Sequence, residues 1–216
     1  SVASRGLGDV YKRQLMYFDE PNKRVLVSDE AYWNPTSLTG DKLNAAVQWA
    51  HDQGYQAGVA VTPYSSLSMG ETSVGGITRP MAGATEQQLK DYINAADWAV
   101  VDPYAVSAGT ATPEMLQQMS DFTKTYGDYI ESLGKPGWLY AQGFVPEGVE
   151  QKVIQDYVNQ LATQGGGYDT LSFFNIRDFP ARESTAGLSQ LDYSQLLSSL
   201  YGTPEATPAQ AATPAT

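Results

Sequence analysis

The feature that most narrows the fold is an alternation. Five short apolar runs, at residues 25–28, 57–62, 98–101, 137–141 and 170–174, are separated by stretches of helical spacing, and the unit recurs at a period of roughly forty residues. Short runs of this composition read as strands buried on both faces. Strand and helix in regular alternation imply a parallel sheet with right-handed crossovers, because parallel neighbours cannot be joined by a tight turn.

The helical stretches carry their own punctuation. Leu43, Val47 and Ala50 share one face, and Gly54 ends that segment. Thr85 and Gln88 form a capping box ahead of Leu89, Tyr92 and Ile93. Thr112 before Pro113 starts a helix whose stripe is Leu116, Met119, Phe122, Tyr126, Ile130 and Leu133, closed by Gly134. Val149, Val153, Ile154, Tyr157, Val158 and Leu161 predict the next, ending at the glycines 165–167, and a last helix covers 193–200. Residues 36–38 and the Gly/Ser-rich stretch 63–84 read as loops.

Both termini stand outside this pattern. Residues 1–14, SVASRGLGDVYKRQ, are basic in an acidic chain and lack periodicity, and we read them as a non-native leader. They resemble a peptide found at the ends of metagenomic open reading frames, where sequencing adapter has been translated; that resemblance implies a fragment. Residues 203–216 are a Pro/Ala/Thr-rich linker that cannot bury a core. Such linkers join modules, so further modules and a secreted or cell-surface location are expected, a cytoplasmic location being the alternative; the lack of cysteine fits an extracytoplasmic bacterial protein. Residues 15–202 form the folded domain.

Two α/β architectures fit the alternation: an open doubly wound sheet and a (β/α)8 TIM barrel. A glycine-rich phosphate loop is absent after the first strand, which weakens the nucleotide-binding version. Polar and aromatic residues recur at the C-terminal end of every strand, where barrels place their chemistry. A full barrel takes about 250 residues. The expectation is therefore a partial TIM barrel of five parallel strands alternating with helices, corresponding to strands four to eight.

Composition removes several functions. With 13 Lys and Arg against 24 Asp and Glu, the chain lacks the basic surplus that nucleic acid or an anionic membrane requires. No apolar run reaches the length of a membrane span. With no cysteine and a single histidine, His51, thiol chemistry, zinc–cysteine sites and multi-histidine metal sites are excluded. No cofactor is implied. An aldolase-like or metal-dependent barrel would place a lysine or an acidic cluster with metal-ligand spacing at a strand end, and these strand ends show neither.

The strand ends supply Asp29, Glu30, Tyr32 and Trp33; Thr62 and Tyr64; Asp102 and Tyr104; Gln142 and Phe144; and Asn175, Arg177 and Asp178. Carboxylates and amides suit sugar hydroxyls, and flat aromatic rings suit the apolar face of a pyranose. Each residue also has a plain structural reading. Asp102 shapes the turn before Pro103, Arg177 pairs with Asp178, Gln142 satisfies a backbone group, and Trp33, Tyr64, Tyr104 and Phe144 are core or rim packing. Trp49, Trp98 and Trp138 read as core and His51 as structural. Glu71 in the long loop is a further, weaker acid candidate.

The segments VLVSDEAYW, AVVDPY, GKPGWLYAQGF and GYDTLSFFNIRDF, spread over residues 25–179, resemble the C-terminal part of a glycoside hydrolase-type (β/α)8 barrel. The resemblance implies hydrolysis of O-glycosidic bonds in an oligo- or polysaccharide, with Glu30 as general acid at the end of strand four. It also places the usual nucleophile position at Gln142, and an amide cannot form a glycosyl ester. Three readings stay open. In the first, Asp29 and Glu30 work as the adjacent pair of substrate-assisted enzymes. In the second, Glu30 is the acid, with Asp102 or Asp178 as the base for attack by water. In the third, the protein is a non-catalytic carbohydrate-binding or cell-surface protein with a degenerate barrel site. Neighbouring residues of a strand face opposite ways, so Asp29 and Glu30 reach one cleft only if the strand has already ended.

Overall fold

The computed structural model describes residues 18–28, 40–65, 71–74, 77–80, 84–164, 166–174, 184–186 and 191–202. In chain order the elements are β1 (Phe18–Asp19), β2 (Arg24–Ser28), α1 (Asp41–Asp52), β3 (Gln56–Val61), β4 (Glu71–Val74), β5 (Ile77–Pro80), α2 (Glu86–Asn94), β6 (Trp98–Val101), α3 (Pro113–Ser132), β7 (Gly137–Gln142), β8 (Val145–Pro146), α4 (Gln151–Gln164), β9 (Thr170–Phe174), β10 (Ser184–Ala186) and α5 (Ser194–Tyr201).

The local signals do what they predict. Thr85 Oγ1 accepts from the Gln88 N–H at 3.2 Å while Gln88 Oε1 accepts from the Thr85 N–H at 2.8 Å, closing the capping box of α2. Thr112 Oγ1 accepts from the Met115 N–H at 3.3 Å, with Pro113 in the first turn of α3, where its missing N–H costs nothing. Gly54, at φ 78°, takes the left-handed conformation that stops the chain after α1. Leu133 departs from its expected stripe and is exposed beyond the end of α3.

The main sheet has the order β1-β2-β3-β6-β7-β9. The five expected strands, β2, β3, β6, β7 and β9, are parallel, each paired with the next one along the chain. The order never doubles back, so right-handed crossovers lay the connecting helices on one face. A doubly wound sheet reverses its order at a switch point; among the described strands there is no reversal. The α/β fold with this five-stranded parallel sheet has the strand order of consecutive barrel staves.

The two faces separate cleanly by alternation. Val25, Val27, Val59, Val61, Ala99, Val101, Leu139 and Ala141 join the helical residues Leu43, Leu89, Leu116, Ile130 and Ile154 in one core. The intervening Leu26, Ala60, Trp98, Val100 and Trp138 form a second cluster on the helix-free face. Trp98 lies against Gly58, where any Cβ would overlap the indole. Its full burial removes about 200 Å² from water, about 5 kcal/mol of transfer free energy. The Trp98 and Trp138 rings lie 4.9 Å apart, and the Arg24 guanidinium is 5.6 Å from the Trp138 ring. Arg24 and Trp138 stand three strands apart, about 14 Å along a flat sheet, so their contact fits a face that curves inward.

At the N-terminal ends of the strands, one device occurs twice. Asp97, just before β6, donates its backbone N–H to Ala57 O at 2.8 Å and accepts from the Ala57 N–H through Oδ2 at 2.7 Å. Asp169, just before β9, does the same with Gly137 at 2.7 and 2.9 Å. His51, read as structural, places Nε2 2.7 Å from Asp97 Oδ2. Lys135 donates to the carbonyls of Ile93, Asn94 and Ala96 at 3.2, 2.9 and 2.6 Å, covering the C-terminal end of α2. Burial lowers its pKa.

Three features depart from the expected pattern. β1 adds an antiparallel strand to β2, so the main sheet has six strands. The stretch 63–84 contains the hairpin β4–β5 as well as loop. Its strands flank Gly75-Gly76, a two-residue spacing that favours tight hairpins. β8 pairs antiparallel with β10, two strands too short to leave a periodic signature. Residues 1–14 and 203–216 lie outside the described residues, as do 36–38.

Candidate functional site

Alternation decides what faces the helix-free side at the C-terminal ends. On β6, Trp98 and Val100 point there, and Asp102 follows two residues on. Thr62 follows Ala60 at the end of β3 in the same way. On β7, Trp138 is followed by Tyr140 and then Gln142. The Asp102 N–H donates to Val61 O at 3.2 Å, so the ladder still runs at that point. The polar groups are buried: Thr62 is 1% exposed, Asp102 4% and Gln142 0%. Ser28, at the end of β2, is also buried, and its hydroxyl has no hydrogen-bond partner among the described residues. The β2–β3 register shifts between Leu26 and Ser28.

Gln142 has a fully defined role. Its Oε1 accepts from the Ala105 N–H at 2.8 Å, and its Nε2 donates to Ala105 O at 2.9 Å and Phe144 O at 3.0 Å. The side chain therefore ties the segment after β6 to the segment after β7. This is the backbone-satisfying reading of that residue.

Three tyrosine hydroxyls reinforce the same rim. Tyr64, in the single 3-10 turn after β3, donates to Tyr104 O at 2.6 Å and accepts from the Val106 N–H at 3.3 Å. Tyr157 reaches from α4 to Pro103 O at 2.8 Å, and Tyr193, ahead of α5, reaches Gln142 O at 2.7 Å. Burial raises the Tyr157 pKa well above its ordinary value and pushes that of Tyr193 up to about 12. Tyr104 and Phe144 meet edge to face with ring centroids 6.1 Å apart, and both are buried. Tyr64, Tyr104, Gln142 and Phe144 are thus brought together as a packed rim beyond the end of β6. Asp29, Glu30, Tyr32, Trp33, Asn175, Arg177 and Asp178 lie outside the described residues, and the Glu71 side chain is likewise not described.

Sequence reasoning passed over Tyr140. It packs against the Trp138 cluster and against Tyr104 and Phe144, yet it stays partly exposed. Counting back two from Gln142 would have found it. A cleft of about 670 Å³ lies at the opposite end of the sheet, lined by Arg24, Glu131, Lys135 and Asp169 among others. Lys135 and Asp169 are held there by the backbone bonds described above, and none of the strand-end candidates lines it.

Chemically, the C-terminal end offers a buried carboxylate, a hydroxyl and a phenol. Of the described cations, Arg24 and Lys135 line the cleft at the other end. Among the described residues no group of three His, Asp or Glu side chains is placed to hold a metal, and no helix is long and apolar enough to cross a membrane. No protein-family model and no curated protein matches the sequence.

Proposed function

We propose that the chain is a carbohydrate-active protein on a partial (β/α)8 barrel of glycoside hydrolase type, hydrolysing O-glycosidic bonds with Glu30 as general acid and Asp102 as the base that activates water. The observation that carries this reading is Asp102: a buried carboxylate at the C-terminal end of a parallel strand, on the face away from the helices. That is where barrel enzymes collect their reactive groups. An inverting mechanism needs only an acid and a base. It is favoured over a retaining one because the amide at the usual nucleophile position is committed to backbone.

The same amide motivates a second reading, a carbohydrate-binding or cell-surface protein without catalysis. Gln142 spends its donors and its acceptor on Ala105 and Phe144. The test is turnover of activated aryl glycosides by the unmodified chain, Glu30→Gln and Asp102→Asn. Hydrolysis lost in both variants, with the fold retained, supports the enzyme. Oligosaccharide binding with no product after long incubation supports the binding protein. Unchanged turnover in either variant removes that residue from the mechanism.

A further inference from the structure

We infer that Tyr140 is the platform on which a sugar ring stacks, and that the strand-end aromatics Tyr64, Tyr104 and Phe144 do not touch ligand. This inference rests on the carbohydrate reading of the site. Four observations lead to it. Alternation places Tyr140 on the helix-free face with Trp138. Among the described aromatic side chains of that face it keeps part of its surface open, whereas Trp98, Trp138, Tyr104 and Phe144 are buried. The pairing of Val101 with Leu139 makes Asp102 and Tyr140 the next pair of cross-strand neighbours, side by side at about 4.8 Å strand spacing. The ring is held in place by Trp138, at 6.4 Å between centroids, and by packing against the Tyr104–Phe144 pair.

The chemistry follows from that placement. A pyranose presents an apolar C–H face and a rim of hydroxyls. A braced phenol ring matches the apolar face at little entropic cost, since the side chain is already held. A ring stacked there lies beside Asp102, the base of the proposed mechanism. Tyr64, Tyr104 and Phe144 instead fix the height of the rim.

The experiment is calorimetric titration of the full chain with β-1,4-linked hexasaccharides of glucose, xylose, mannose and N-acetylglucosamine. For whichever probe binds, Tyr140→Phe keeps the ring and leaves affinity within about threefold, whereas Tyr140→Ala weakens it about tenfold or more, as expected for one aromatic contact. If the alanine variant does not fold, Tyr140→Leu, which fills the space without a flat ring, carries the same expectation. Binding unchanged in the alanine or leucine variant overturns the role of Tyr140 and leaves the carbohydrate reading standing. Failure of all four probes to bind the unmodified chain overturns both.

Discussion

The two ends of the parallel sheet handle polar groups in opposite ways. At the N-terminal end, the side chains that tie strands together stay open to water: His51 is 43% exposed and Asp97 36%. Asp97 and Asp169 extend the ladder by one bond to an adjacent strand. At the C-terminal end, Thr62, Asp102 and Gln142 are buried, and their surroundings are held by hydroxyls arriving from α4, from the segment before α5 and from the turn after β3. Water can replace a lost bond at the first end but not at the second, where an unmade bond costs its full desolvation. The difference teaches that polar burial, costly for the fold, is concentrated where barrels carry their chemistry.

Gln142→Leu should break this contrast most severely. It leaves the Ala105 N–H and two carbonyls unpaired in a dry site and should cost about 4 kcal/mol, read as a fall in the urea midpoint. Tyr157→Phe and Tyr193→Phe should each cost about 1.5 kcal/mol by removing one buried donor. The same hydroxyls set an alkaline limit. Tyr193 rises from an ordinary pKa of 10.0 to about 12 in the fold, so the fold favours the neutral phenol. That contribution is complete below about pH 10 and is lost as pH rises through about 12. Urea titrations across this range should show stability falling, with a shallower slope in Tyr193→Phe. Asp97→Ala and Asp169→Ala should cost about 1 kcal/mol each, and His51→Ala less than about 0.5 kcal/mol, as for an exposed pair. A loss at Asp97 or Asp169 as large as that of Gln142→Leu would erase the distinction between the ends.

What could be read from the sequence was local or periodic. The capping box of α2, the Thr112-Pro113 start of α3 and the five strands follow from residues within one element. Its position at the end of the third strand also placed Asp102 among the candidates. Contacts between elements distant in the chain were not legible. Nothing in the neighbourhood of Tyr157 says that its hydroxyl meets Pro103, 54 residues away. Nothing near Gln142 says whether its amide meets a ligand or the backbone of Ala105; both satisfy a buried amide equally well. Strands of two residues, such as β1 and β8, are shorter than any period that would mark them. Tyr140 is hidden for a different reason: it lies inside β7, two residues before the strand's end, where an aromatic reads as core.

The strand order has a kinetic consequence. Each parallel strand of the main sheet pairs with the next parallel strand along the chain, so these pairings do not wait for a distant part of the chain, and each closure spans one crossover of similar length. The sheet can be laid down one βα unit at a time, in the direction of synthesis, with each new strand finding its template already in place. An error in one unit should then stall the units after it and spare those before it.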